Sequence, residues 1–279
     1  MNEVGVEFFE DRGSTPLAST ISKTLGDIMN KMKLLIVLIV VICVSIALGE
    51  NEDKFSSEVS VGSVITSGNS EAMQFNALLA TKINISDSSD FRSGVELNYG
   101  KATIKKVDDD GTEKYSEKTI DNFKIFSDAK KEICRRAFGA INTSFFVDNI
   151  AEIDYRVSSS FSLGIYLLKN ETTVLSADVG PAYVWEKVEK SSKDFFAVRF
   201  GQDFTLVLTD SSKLWQSFEY YPKAEKFSDF LMNVEVGAKS SISKNFDLRF
   251  VFQNAHDSSR KFEAKKNDRS IICSVSLNF

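Results

Sequence analysis

The sequence predicts an all-β chain: an antiparallel, up-and-down transmembrane β-barrel of about 12 strands, following an N-terminal signal segment. Three observations predict it. Residues 57–279 repeatedly alternate apolar and polar side chains with a period of two. Several of these runs keep register over the ~9–11 residues that a strand needs to cross a bilayer, whereas ordinary strands average about five or six. The chain also holds 23 Phe against 14 Gly and 3 Pro. So many apolar surfaces, with so few helix signals, need an apolar surrounding other than a helical core.

Composition excludes several other classes. The net charge of −5 comes with no Lys/Arg block, which argues against a nucleic-acid binder. A single His, His256, leaves no multi-His metal or catalytic centre, and neither a metal nor a cofactor is expected. Three Cys cannot form a disulfide framework. A barrel of this length counts as one domain.

The chain opens on an address. Lys31 and Lys33 precede Leu34–Ile46, 13 residues without a charge, followed by Ala47, Leu48 and Gly49. That is a basic, an apolar and a small-residue region in the order of a secretion signal, with cleavage before Glu50. Met29-Asn-Lys-Met-Lys makes a normal start, so residues 1–28 read as an upstream extension, 29–49 as the signal peptide and 50–279 as the barrel. Cys43 belongs to the apolar region and leaves with it.

The strands are then read in order as 57–66, 71–85, 90–104, 118–129, 134–147, 153–168, 173–187, 194–208, 213–221, 228–240, 245–255 and 268–279. In the second, Met73, Phe75, Ala77 and Leu79 oppose Gln74 and Asn76. In the third, Phe91, Val95, Leu97 and Tyr99 oppose Arg92, Glu96 and Asn98. The sixth sets Tyr155, Val157, Phe161, Leu163, Ile165 and Leu167 against Arg156, Ser158, Ser160 and Ser162. The eighth sets Phe196, Val198, Phe200, Phe204, Leu206 and Leu208 against Arg199, Asp203 and Thr205. In the eleventh, Phe246, Leu248, Phe250 and Phe252 oppose Asp247, Arg249 and Gln253. The last alternates Ile271, Cys273, Val275, Leu277 and Phe279 with Ser270, Ser274, Ser276 and Asn278, Ile272 being the exception.

Alternation alone fits a soluble sandwich as well as a membrane barrel. Connector length favours the barrel. Ser86–Ser89, Lys130–Ile133, Lys169–Thr172, Thr209–Ser212 and Ser241–Lys244 are short, while Val107–Glu117, Val188–Lys193, Pro222–Phe227 and His256–Asn267 are longer, Ser67–Ser70 being the exception. Short turns on one side and longer loops on the other is the outer-membrane layout, and an even strand count puts both barrel ends on the periplasmic turn side.

Placed by depth, Tyr99, Tyr155, Tyr183, Trp185 and Tyr220 fall near the loop side, and Phe91, Phe246 and Phe279 near the turn side, as in two membrane girdles. The polar face carries Arg92, Glu96, Arg156, Arg199, Asp203, Glu235, Lys239, Asp247 and Arg249, which would line the lumen. These charges pair along single strands: Arg92 with Glu96, Arg199 with Asp203, and Asp247 with Arg249. They either line a narrow pore or neutralise one another and plug it. Cys134, at the turn-side end of the fifth strand, and Cys273, at mid-depth on the outward face of the twelfth, are too far apart to bridge.

Three stretches resemble a known family: Ser60-Val-Gly-Ser-Val-Ile-Thr-Ser-Gly-Asn-Ser70, Asp154-Tyr-Arg156 through Leu175-Ser-Ala-Asp-Val-Gly-Pro-Ala-Tyr183, and Asp268 to Phe279. The chain is similar there to the domain-of-unknown-function 481 family, the salt-induced outer-membrane protein-like chains, over most of 57–279. That resemblance implies an outer-membrane barrel of a Gram-negative bacterium with a role in salt or envelope stress, and it carries no catalytic position across. Phe279, ending an alternating strand, resembles the carboxy-terminal signature read by the barrel assembly machinery. The partners implied are that machinery and outer-membrane lipid, for a monomer.

Two motifs invite other chemistry. His256, with Asn254, Ser258 and Ser259 around it, suggests an outer-membrane lipid hydrolase, since a base near a hydroxyl and an orienting amide makes a nucleophile. Its place at a loop edge without a fuller motif favours a bystander. Asp108-Asp-Asp-Gly111 has the acidity of a cation loop but not its alternate spacing, and reads as a turn. A soluble periplasmic barrel or sandwich that binds a ligand is the remaining alternative.

Overall fold

The computed structural model describes residues 55–66, 71–108, 111–260 and 266–278. The extension at 1–28, the signal peptide at 29–49, Phe279 and the Asp109–Asp110 centre of the acidic motif lie outside the described residues.

Twelve strands follow one another: β1 (Phe55–Thr66), β2 (Glu71–Ser86), β3 (Ser89–Asp108), β4 (Gly111–Cys134), β5 (Ala137–Asp148), β6 (Ile153–Lys169), β7 (Thr173–Val188), β8 (Ser191–Thr209), β9 (Ser212–Lys223), β10 (Lys226–Ser241), β11 (Phe246–Asp257) and β12 (Asn267–Asn278). Each pairs antiparallel with its neighbour in sequence, and β1 closes on β12. Closure leaves no sheet edge, the condition for crossing lipid with strands.

The choice between sandwich and membrane barrel is settled by which parity is exposed. On β6, Phe161, Leu163 and Ile165 are 52%, 55% and 52% exposed, while the alternating Ser160 and Ser162 are 5% and 0% exposed. The same inversion recurs on β12, where Ile271, Val275 and Leu277 face out and Ser274 and Ser276 are buried. A water-soluble barrel would hide the first set; a bilayer solvates it. The protein is a transmembrane β-barrel.

Local chemistry explains where strand ends depart from expectation. The acidic stretch Val107–Glu117 is not a free loop. β3 and β4 run on as a ladder from Lys101↔Lys118 to Asp108↔Gly111. Val188–Lys193 is likewise mostly strand, turning through Glu189 and Lys190 alone, with φ of 49° and 65°. Two successive left-handed residues make the tight hairpin turn usually signalled by Asn-Gly, and nothing in Glu-Lys announces it. Pro222–Phe227 contracts to Ala224 and Glu225 between β9 and β10. The expected contrast in loop length is thus largely lost; the difference between the two ends is carried by longer strands instead.

We call the end with Asn149–Glu152, Glu189–Lys190 and Ala224–Glu225 the loop side, and the end with Asp87–Ser88, Arg135–Arg136 and Asp210–Ser211 the turn side. Cys134 ends β4 rather than beginning the fifth strand, because the chain turns at Arg135–Arg136. Cys134 and Cys273 are both free thiols.

Large inward rings are accommodated by opposing glycines. Phe138 faces Gly164 and Trp215 faces Gly237 as direct cross-strand partners. A Cβ on either glycine would collide with the ring. The rings can therefore lie against the wall instead of projecting along the axis. Gly164→Ala is expected to cost about 1–3 kcal/mol, as overpacking does. The midpoint of heat-modifiable gel migration measures it, and the cost should vanish in a Phe138→Ala background.

Candidate functional site

The inward parity of the twelve strands forms a polar lumen, and all nine charged residues expected there stand on it. Their partners, however, lie on other strands. Arg199 on β8 is held by three groups. Its Nε donates to the Tyr221 hydroxyl (3.1 Å), one terminal nitrogen pairs with Asp178 of β7, and the other donates to Glu219 Oε1 of β9 (2.9 Å). Asp203, the expected partner four residues along the same strand, sits inward opposite Ser217 and Ser176 instead. A strand separates residues i and i+4 by about 13 Å, so Arg199 and Asp203 do not meet; cross-strand neighbours lie about 5 Å apart.

Arg156 on β6 makes a longer connection. Its Nε donates to Glu186 Oε2 of β7 (2.7 Å), and its terminal nitrogen reaches Asp257 Oδ2 of β11 (2.7 Å). Four strands separate β6 from β11 along the wall, roughly 24 Å at ~4.8 Å per strand spacing. The contact therefore crosses the lumen. Asp257 is held in turn by the Ser259 amide (3.0 Å) and hydroxyl (2.7 Å).

Between the Arg156 bridge on the loop side and the Arg199 cluster toward the turn side lies the one apolar cluster among the described buried residues: Ala182, Val184, Phe195, Ala197, Tyr221 and Leu231. Lys223 covers it, its ammonium 4.3 Å from the Phe195 ring centre. The walls of β7–β10 are thus packed in their loop-side half.

A third network joins the ends of the barrel. Glu58 of β1 accepts from Arg249 of β11 (2.9 Å), Lys239 of β10 (3.3 Å), Ser60 (2.9 Å) and Ser276 of β12 (3.1 Å). Lys239 also pairs with Asp247, and Asn278 donates to Asp247 (2.6 Å). Asp247 is thus bound to Lys239 and not to Arg249.

The other expected lumen residues have quieter places. Arg92 lies 5.0 Å from the Phe126 ring centre. Glu96 accepts from Asn98 (3.0 Å), which also donates to Asn122 (2.9 Å). Glu235 accepts from Trp215 Nε1 (2.7 Å) and Gln253 (3.1 Å). Sequence reasoning missed Glu58, Asp178, Glu186, Glu219 and Asp257. Each shares the inward parity of its strand, so the signal was present, but choosing partners needed the strand register.

His256 faces outward, stacked on Phe230 with ring centres 5.2 Å apart. Its Nδ1 bonds Asn267 Oδ1 (2.8 Å), an amide from the next strand and not the expected Asn254, which accepts from Arg269 (3.4 Å). Ser258 Oγ accepts from the Phe230 amide (2.7 Å), and Ser259 Oγ donates to Asp257. A base and an orienting amide are present, but the nearby hydroxyls are engaged elsewhere. Of the girdle aromatics, Tyr99, Tyr155, Tyr183, Trp185 and Tyr220 stand on outward parity toward the loop side, and Phe91 and Phe246 on outward parity beside turn-side connectors. Tyr183 packs edge-on against both Trp185 and Phe196 (4.4 and 4.6 Å).

Solved structures similar to this barrel include the translocator domain of autotransporter NalP from Neisseria meningitidis (10% identity, covering 92% of this chain and 97% of that one, TM-score 0.46). They also include the NanC porin (8%, 79% and 98%, TM-score 0.49) and the KdgM porin (8%, 80% and 99%, TM-score 0.45). No functional residue transfers at these identities. No curated protein matches the chain. The family described as "Protein of unknown function, DUF481" matches residues 59–279, and with that match over most of its length the chain belongs to the DUF481 family.

Proposed function

We propose that the protein is an outer-membrane β-barrel of a Gram-negative envelope whose lumen is held shut by ion pairs, a structural barrel or narrow pore and not an open general porin. The Arg156–Asp257 contact across the lumen carries this reading. The outward apolar parity fits outer-membrane lipid as its surrounding, and export would use the signal segment. Insertion would use the assembly machinery through the strand ending at Phe279, giving a monomer. The link to salt or envelope stress rests on the family resemblance. We assign no enzymatic role. His256 is paired with Asn267 and stacked on Phe230, while Ser258 is bonded to a main-chain amide.

Purified, folded protein in a planar bilayer tests the reading. The expected result is no steady conductance of porin size. A constantly open channel would overturn the shut lumen. A protein that stays soluble without detergent and shows no heat-modifiable migration would overturn the membrane barrel itself.

A further inference from the structure

The inward face carries a row of like charges next to the seam. Lys213 of β9 stands directly opposite Lys239 of β10, and Lys239 directly opposite Arg249 of β11. Like charges placed opposite one another across a ladder are destabilising. Glu58 and Asp247 offset the cost for Lys239 and Arg249. They form no ion pair with Lys213. Among the described residues, neither Lys213 nor Arg92 has a carboxylate within ion-pair distance. The charges that act most on Lys213 are Lys239, Glu58, Arg249 and Arg92, three cations and one carboxylate. Arg92 belongs to β3, which lies six strands from β9 in either direction around the ring. It therefore acts on Lys213 from across the lumen. Its direct partner Asp128 accepts from Asn142 (2.9 Å) and offsets part of its charge. Both Lys213 and Arg92 point inward and are nevertheless exposed. Each stands close to a turn-side connector, so solvent reaches them at the turn-side mouth.

We propose that the turn-side mouth of the lumen is a binding site for a small, doubly charged oxyanion of the phosphate class, with Lys213 and Arg92 as its two ligands. A dianion between two accessible cations neutralises both and relieves the opposition of Lys213 to Lys239. The chemistry suits phosphate: lysine supplies a point charge with three donors, and arginine a planar fork. Lys239 and Arg249 stay with Glu58 and contribute field rather than contact. The site needs the barrel wall alone and does not rest on the lumen being shut, which the bilayer measurement tests separately.

The test uses folded, detergent-solubilised full-length protein. Thermal unfolding is followed by heat-modifiable migration in sodium phosphate, sodium acetate and sodium chloride of equal ionic strength, which separates binding from screening. Calorimetric titration with inorganic phosphate gives the affinity. Phosphate should raise the wild-type midpoint above both other salts. Lys213→Gln and Arg92→Gln should each weaken phosphate binding about tenfold or more, the loss of one charge-assisted contact. Without phosphate, Lys213→Gln should be at least as stable as wild type, because it ends the opposition to Lys239; a lysine with a purely structural role would give the reverse. A wild-type midpoint no higher in phosphate than in chloride overturns the site. Unchanged affinity in Lys213→Gln overturns its main ligand. Acetate acting as strongly as phosphate overturns the doubly charged class. A Lys213→Gln variant that is less stable than wild type in chloride, or does not fold, makes the lysine a strut and overturns the proposal.

Discussion

Arg199→Ala is expected to destabilise the barrel by about 3–5 kcal/mol, the cost of breaking a buried ion pair from one side. The side chains of Arg199 and Asp178 are 6% and 4% exposed, and Glu219 shares the same guanidinium. Truncation strands two carboxylates in the lumen and leaves the Tyr221 hydroxyl without its donor. Arg199→Lys should recover less than half of the loss. A lysine keeps the charge, but its compact ammonium cannot reproduce a fork that serves Tyr221, Asp178 and Glu219 in three directions. Urea unfolding from lipid vesicles measures both. If Arg199→Ala fell within about 0.5 kcal/mol of wild type, the level of an ordinary surface change, the cluster would be solvated rather than packed.

The second large effect is expected at the seam. Glu58→Ala removes the acceptor shared by Arg249, Lys239, Ser60 and Ser276. Glu58 is partly exposed at 23%, so solvent compensates in part, and a loss of about 2–3 kcal/mol is the expectation. Lys239 keeps Asp247, which limits the damage on β10. The distinguishing readout is where the barrel opens. Limited proteolysis of the variant should cut first in β1 or β12, whereas Arg199→Ala should show no preference for the seam. Equal protease patterns for the two variants would contradict the seam's role.

Much of the fold was legible because its code is local. Parity on β6 or β8 needs only neighbouring residues, and Ser160 beside Phe161 already separates the two faces, although which of them points outward was decided by their exposures. Ile272, the apolar intruder on the polar parity of β12, stands inward opposite Val251, where two apolar chains meet. What stayed hidden depended on register or backbone. The pairs Arg199–Asp178 and Lys239–Asp247 join different strands, and one residue of slip would have exchanged every partner. The Glu189–Lys190 turn was hidden because its left-handed backbone is adopted by residues that do not prefer it. The β3–β4 ladder was hidden because Asp108-Asp-Asp-Gly111 reads as the middle of a loop, although it is only the tip of a long hairpin. The partner of His256 came from β12, which spacing along β11 could not supply.

The seam has a consequence for time as well as for strength. Among the described residues, β1 pairs with β12 over five residue pairs, Glu58↔Asn278 to Gly62↔Ser274, while β1 pairs with β2 over twelve. Every other junction joins strands consecutive in the chain and can zip as soon as its hairpin forms. Only this one joins residues as distant as Ser60 and Ser276, 216 positions apart. Its formation must wait until eleven hairpin junctions have curved the sheet round. The barrel is therefore a sequence of fast local events and one late latch. A lesion in the latch should slow completion of assembly and hasten its first reversal, while leaving the rate at which individual hairpins form untouched.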